Sequence, residues 1–291
     1  MGRSERGGGA LERIKVVTDS CADLPQELAS ELDIRIISVV ATFGNRTYRD
    51  TELSRDEFWR LAEGGVHPTT SQPPIGVFQQ AFKELVDQGH RVLCVALTSC
   101  HSGTFNAAWS AARAFGDRVT VVDSLSLSWG QGWQAIRAAR MAKRRATLDA
   151  ILQALRSLRE RTHILIQLDT VENLRRGGRA SKLMPVIDRL VRALRIKPIL
   201  NLIDGELKLW GVARSYRKGI ERIKAEMMAL GPLERLAVIH TRRHSVAEKL
   251  ADELAKLTNM ARERIRVSET GAVLSCHAGP GVIAAAAVTA R

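Results

Sequence analysis

The sequence predicts an α/β protein with a parallel sheet in its first half and a mixed sheet in its second. Three observations carry that prediction. Between residues 14 and 161, short apolar runs alternate with amphipathic stretches of helical period. Several runs end in small polar groups, Asp19-Ser20, Thr98 to Ser102 and Asp123-Ser124, and parallel sheets hold ligands beyond such strand ends. From residue 163 onward two apolar runs adjoin across Asp204-Gly205, a strong hairpin signal.

Taken in order, Ile14 to Thr18 is a strand, and a helix follows from Leu24 with Asp23 as its cap and Pro25 in its first turn. Ile34 to Phe43 reads as one buried strand. Leu53 to Ala62 is helical, capped by Ser54. A loop from Gly64 to Pro74 leads into a helix reaching Gln88, with Ser71 placed to cap it. Arg91 to Leu97 is a strand, Ser102 to Phe115 a helix, and Arg118 to Val122 a strand. Two basic helices cover 127–145 and 148–161.

In the second half His163 to Leu168 is a strand and Leu174 to Arg179 a basic glycine loop. A helix is expected from Ser181 to Ala193, the hairpin over 196–212, and a helix from Ser215 to Met228. Leu236 to His240 and Arg264 to Ser268 are strands about a helix from Ser245 to Leu257. His277 is placed in a Gly/Pro loop. This gives a flexible leader over 1–13, a first domain over 14–160 and a second over 161–291.

Composition narrows the function. The 291-residue chain carries 44 basic and 31 acidic side chains, for a net charge of +13. Much of the excess follows helical spacing, as in Arg137, Arg140 and Arg144, which reads as solvated helix faces. Aromatic residues make up only 4%, too few to suggest a stacking platform for nucleic acid. The four cysteines, Cys21, Cys94, Cys100 and Cys276, have no CxxC spacing, which points to reduced thiols in the cytoplasm. No apolar run reaches the ~20 residues that span a bilayer; the longest candidate, Val282 to Ala290, is short and Ala-rich.

Three separated segments carry the chemistry: Thr69 to Pro74, Ser99 to Thr104, and Cys276 to Gly281. Each joins a hydroxyl or an imidazole to Gly or Pro beside a helix. Together they offer hydrogen-bond donors and no carboxylate, which suits holding an anion. Ser102, with the amides of Gly103 and Thr104, sits where a helix N-terminus attracts negative charge.

Rival constellations are weaker. Cys100, His101, Cys276 and His277 lack zinc-site spacing. Gly130 to Ala135 matches a dinucleotide fingerprint by letter but lies seven residues past its strand. A Ser102–His277 hydrolase pair lacks GxSxG and a marked acid to orient the histidine.

The order of short motifs along the chain resembles the DegV family of bacterial fatty-acid-binding proteins. The marks are Val17-Thr18-Asp19-Ser20 with Asp23-Leu24-Pro25, Tyr48-Arg49-Asp50, Thr70-Ser71-Gln72-Pro73, and Ser102-Gly103-Thr104-Phe105. Further marks are Val122-Asp123-Ser124, Arg176-Gly177-Gly178-Arg179, Ile196 to Leu200 with Asp204-Gly205, and His277 to Gly281.

The resemblance implies two α/β domains enclosing a ligand tunnel for one long-chain fatty acid. It places the carboxylate at Thr70, Ser71, Ser102 and Gly103, with His277 near and Arg214 within reach. It further implies a non-catalytic carrier that presents the acid to a fatty-acid kinase subunit for acyl-phosphate formation. Arg176 and Arg179 would serve that partner, and the basic surface leaves contact with a membrane open. Neither a metal nor a cofactor other than the bound acid is implied, and no nucleic-acid partner. The chain departs from the pattern at Cys21-Ala22, at Pro74, and at Cys100-His101, which replaces a small or aliphatic pair.

Overall fold

In the computed structural model, which describes residues 13–178, 184, 185, 187 and 196–291, the first apolar run becomes β1 (Ile14–Asp19). It lies inside a parallel sheet with β2 (Ile34–Ile37), β6 (Arg91–Ala96) and β7 (Val119–Asp123), in the order β2-β1-β6-β7. Every pairing in it is parallel, so crossover helices cover its faces. On one face α3 (Ile75–Asp87) and α4 (Thr104–Ala112) bury Phe78, Phe82 and Ala108 over Val17 and Cys94.

The expected single strand over residues 34–43 is two strands. The chain turns at Ser38-Val39, where Val39 N–H donates to Ser20 Oγ and Ser38 Oγ accepts from Thr51 N–H. β3 (Val40–Phe43) then joins a separate antiparallel sheet with β4 (Arg46–Arg49) and β5 (Thr69–Ser71). Ser71 therefore belongs to β5 and does not cap α3, whose N-cap is Pro74. α2 (Arg55–Glu63) starts as expected, with Ser54 Oγ accepting from Glu57 N–H at 3.2 Å.

The second sheet has six strands in the order β10-β9-β8-β13-β11-β12. They are β8 (Thr162–Gln167), β9 (Lys197–Ile203), β10 (Glu206–Ala213), β11 (Leu233–His240), β12 (Ile265–Glu269) and β13 (Ile283–Thr289). All pairings are antiparallel except β11 with β12. The Ala-rich run near the C-terminus is thus an interior strand, which the sequence reading did not assign.

Helices α5 (Ser128–Lys143) and α6 (Leu148–Glu160) lie between the two sheets. One apolar cluster joins Val16, Leu93 and Val95 of the first sheet to Trp129, Trp133 and Ile136 of α5, and then to Ile164, Ile239 and Ala284 of the second. Each large side chain buried there contributes roughly 1.5–3 kcal/mol. The fingerprint-like glycines serve this packing. A Cβ on Gly130 would fall 2.8 Å from Ile164 Cδ1, and one on Gly132 would fall 2.7 Å from the Ala22 carbonyl.

The outer face of the second sheet is covered by α8 (Tyr216–Ala229) and α9 (His244–Thr258). Two further short helices border the site. α7 (Glu172–Gly177) occupies what reads as a loop in the sequence, and α10 (Ala272–Ala278) carries His277 in its last turn rather than in a loop. The helix expected over 181–193 falls largely outside the described residues, as does Arg179.

Candidate functional site

The three chemistry-bearing segments meet at one cavity. It spans about 1070 Å³ of space, its open mouth included. Its wall is mainly Leu, Ile, Val and Ala, with Thr70, Ser71, Gln72, Thr98, His101, Ser102 and His277 among the polar exceptions.

Thr70 arrives on β5 and His277 on α10. Thr70 Oγ1 lies 2.8 Å from His277 Nε2. The ring is held from behind by α7, where a Cβ on Gly177 would sit 2.3 Å from His277 Nδ1. Only a glycine lets the two helices close to this distance. Beside them Cys276 Sγ donates to the Pro68 carbonyl, tying α10 to the strand that presents Thr70.

Ser102 arrives on the loop after β6. Its Oγ lies 2.8 Å from Thr104 Oγ1 and accepts from Thr104 N–H at 3.2 Å. The expectation that the Thr104 amide faces a ligand is corrected, because Ser102 itself occupies it. Helix α4 begins at Thr104 with Gly103 as cap. A Cβ on Gly103 would lie 2.6 Å from Gln72 Oε1, so the Gln72 amide rests on this glycine. That contact brings the Thr70 and Ser102 segments together.

The other sequence-predicted residues divide. Ser71 and Ser102 line the cavity, whereas Gly103 stands behind the wall. Arg214 is exposed just after β10 and is not among the lining residues. Arg176 is exposed on α7, and its Nε donates to Glu172 Oε1 at 2.7 Å. This bond, with Arg175 beside it, holds the Glu172 carboxyl below its usual range.

Two buried acids escaped the sequence reading. Asp23, expected to cap a helix, has φ 50° and turns away from α1 (Gln26–Leu32). Its carboxylate accepts from Ser128 Oγ at 2.5 Å, Thr270 Oγ1 at 2.6 Å and Gly271 N–H at 2.9 Å. Ser128 and Thr270 line the cavity, so this acid stitches three distant segments beneath it. Burial pushes its pKa up, against these bonds. Asp19 accepts from Leu97 N–H, Cys21 N–H and Gln131 Nε2, at 2.7, 3.0 and 2.9 Å. Burial raises its pKa to about 6. A strand-end Asp next to Ser was the only signal for either role.

The apolar floor is a single row across the second sheet. Register aligns Leu200 with Ile166, Ile166 with Ala284, and Ala284 with Ile239. All four line the cavity. The one small side chain, Ala284, makes a dip in the middle of the row. The row continues at its Leu200 end into the β9–β10 hairpin. Its tip is fixed by Thr98 Oγ1, which donates to the Gly205 carbonyl at 3.1 Å. Gly205 has φ +82°, where a Cβ would also strike Thr98.

The arrangement suits an amphipathic anion: neutral hydroxyls and an imidazole at one end, and an aliphatic channel leading away. It does not favour acyl hydrolysis, since His277 Nε2 is engaged by Thr70 and the Ser102 hydroxyl by Thr104. Among the described residues no group of His, Cys, Asp and Glu gathers as metal ligands, and no helix is long and apolar enough to cross a membrane.

Comparisons agree with the geometry. Residues 13–290 match the family described as "Uncharacterised protein, DegV family". The DegV domain-containing protein YejH of Lactococcus lactis is 31% identical over 273 residues, covering 92% of this chain and 96% of that protein. A fatty-acid-binding DegV family protein from Thermus thermophilus superposes with TM-score 0.87 at 30% identity, over 96% of this chain and all of its own. DegV of Bacillus subtilis, a fatty-acid-binding protein, does so with TM-score 0.85 at 30% identity and the same coverage. With the match running over nearly its whole length, the chain belongs to the DegV family.

Proposed function

We propose that this protein binds one long-chain fatty acid. The carboxylate rests near Thr70, Ser102 and His277, and the tail lies along the row from Leu200 to Ile239. The observation that carries this reading is the joining of the Thr70–His277 pair to a cavity whose wall is mainly aliphatic. The fatty-acid-binding relatives at 30% identity support it.

The energetics are consistent. Each buried methylene contributes roughly 0.8 kcal/mol, so a C16-type tail gains about 12 kcal/mol before the costs of association. The tail supplies affinity. The hydroxyls orient the head and keep a buried carboxylate from being left unpaired. Neutral donors also hold it less deeply than a bidentate arginine. That favours a carrier, which must release the head group to chemistry elsewhere.

On this reading the protein acts without catalysis of its own and hands the acid to a fatty-acid kinase that makes the acyl phosphate. Arg176 and Arg179 belong to that contact, and Arg214 serves it or the head group from outside the lining. The division into units on either side of residue 160, and a cytoplasmic location consistent with four free cysteines, are part of the same proposal.

Native mass spectrometry tests the binding step. Protein purified from bacteria should carry an extractable fatty acid near one per chain, and lipid-stripped protein should take up palmitate or oleate. Empty protein that takes up neither would remove the reading. Acyl phosphate formed by a bacterial fatty-acid kinase and ATP only when this protein is present tests the presentation step.

A further inference from the structure

The hairpin β9–β10 forms the cavity wall at an edge of the six-stranded sheet. β10 ends the six-stranded order, so every second N–H on its outer side has no strand to pair with. At Leu207, which lines the cavity, that outward N–H is accepted by His101 Nε2 at 3.0 Å. His101 belongs to the loop that carries Ser102, so the bond ties the head-group loop directly to the strand over the acyl tail. Two further bonds join the same loop and hairpin. Thr98 Oγ1 donates to the Gly205 carbonyl, and Cys100 Sγ donates to the Asp204 carbonyl at 3.7 Å.

These bonds differ in one chemical respect. Thr98 does not titrate and the cysteine bond is long and weak. The His101 bond exists only while Nε2 keeps its lone pair, that is, in the neutral ring with its proton on Nδ1. Protonation turns Nε2 into a donor facing another donor. The N–H of Leu207 then has no acceptor there, and the two positive edges repel.

We propose that His101 is a positioning residue for the bound acid: its neutral ring latches β10 over the cavity, and its protonation loosens that wall and speeds ligand release. The proposal rests on the fatty-acid reading of the cavity and adds to it a control on residence time. Among the described residues, the titratable and charged groups on the surrounding elements include Cys100 on the same loop and Asp204, Glu206 and Lys208 on the hairpin. Asp123 stands at the end of β7, where it accepts from Ser99 N–H, and His277 stands at the cavity wall.

The test follows dissociation of a fluorescent fatty acid, cis-parinaric acid, by stopped flow at about pH 7.5 and about pH 5.5, which bracket the imidazole range. Wild type should release it about tenfold faster at the lower pH, the scale of losing one buried hydrogen bond. His101→Asn, whose Oδ1 accepts without titrating, should remove most of that acceleration while His277 remains in place. His101→Ala should release quickly at both values. Equal acceleration in wild type and His101→Asn, or wild-type release from His101→Ala at pH 7.5, would overturn the proposal.

A second measurement needs no ligand. The Leu207 amide should be protected from hydrogen exchange in wild type at neutral pH and lose about tenfold of that protection in His101→Ala. Loss of protection in a protein that binds no fatty acid would leave the latch standing and remove the cavity's assigned ligand. Unchanged protection in a protein that does bind would remove the latch alone.

Discussion

Thr70 Oγ1 and His277 Nε2 lie 2.8 Å apart although 207 positions separate them in the chain. The pair joins the edge strand of the small sheet to the last turn of α10 at the head of an aliphatic cavity. It engages the His277 ring nitrogen Nε2 and, with Ser102, marks the end of the cavity where the proposed carboxylate would rest.

The first prediction concerns that head group. Thr70→Ala combined with Ser102→Ala should weaken palmitate binding on the order of 10- to 100-fold, the cost of leaving a buried charge with two fewer partners. Both residues are only half-buried, so the thermal transition should move little. Isothermal titration together with a melting curve separates the two effects. Unchanged affinity in the folded double variant would take these hydroxyls out of the site.

A second prediction concerns a residue outside the lining. Gly177→Ala would place a Cβ 2.3 Å from His277 Nδ1, closer than any contact can be. The imidazole must shift away from Thr70, or α7 must shift away from α10. Overpacking of this kind costs about 1–3 kcal/mol. Fatty-acid affinity should fall in Gly177→Ala, whereas Gly178→Ala, which meets no neighbour among the described residues, should lose stability through its φ of +65° and leave affinity nearly intact. Equal affinities in the two variants would show that α7 does not set the ring.

The cavity floor gives a third prediction. Ala284 is the small member of the row Leu200–Ile166–Ala284–Ile239. Ala284→Leu fills the dip, so the preferred acyl chain should become shorter. A chain-length series from C10 to C18 reads this out. A uniform loss across the series would mean that Ala284 supports the fold without shaping the tunnel.

How much of this was legible in the sequence differs by element. The strand–helix alternation before residue 161 and the Asp204-Gly205 hairpin stand out because periodicity and turn chemistry are local. β13 does not. Four consecutive alanines have weak strand preference, and an interior strand buried on both faces lacks the polar alternation that marks an exposed one. The break at Ser38-Val39 was hidden in a mostly apolar run, because it depends on bonds to Ser20 and Thr51.

The site was legible as three fragments. Their meeting was implied only by the resemblance, since nothing local in Thr70 refers to His277. The Gly177–His277 contact and the Asp23 junction are tertiary contacts in the same sense. Their residues read as a basic turn and a helix cap.

A fourth prediction concerns pH. Burial raises the Asp19 pKa from 3.8 to about 6, and Asp23 is shifted in the same direction. The folded state therefore binds these protons more tightly than the unfolded chain does. The contribution of Asp19 is fully present below about pH 4 and is lost as pH rises through about 6, and that of Asp23 changes in the same sense. For Asp19 the swing is on the order of 3 kcal/mol. Urea unfolding between pH 4 and 7 should show a stability slope that is less negative with rising pH in Asp19→Asn than in wild type. Identical slopes would mean that the three donors around Asp19 outweigh its burial.

The central claim is that hydroxyls from two remote segments hold a lipid head group at the end of the aliphatic channel. A crystal structure of the protein grown with palmitate tests it most directly. The account predicts carboxylate oxygens within about 3 Å of Thr70 Oγ1 and Ser102 Oγ, and the tail running over Ala284 toward Ile239. A carboxylate seated elsewhere, with the tail end at Thr70, or palmitate absent from this cavity, would contradict it.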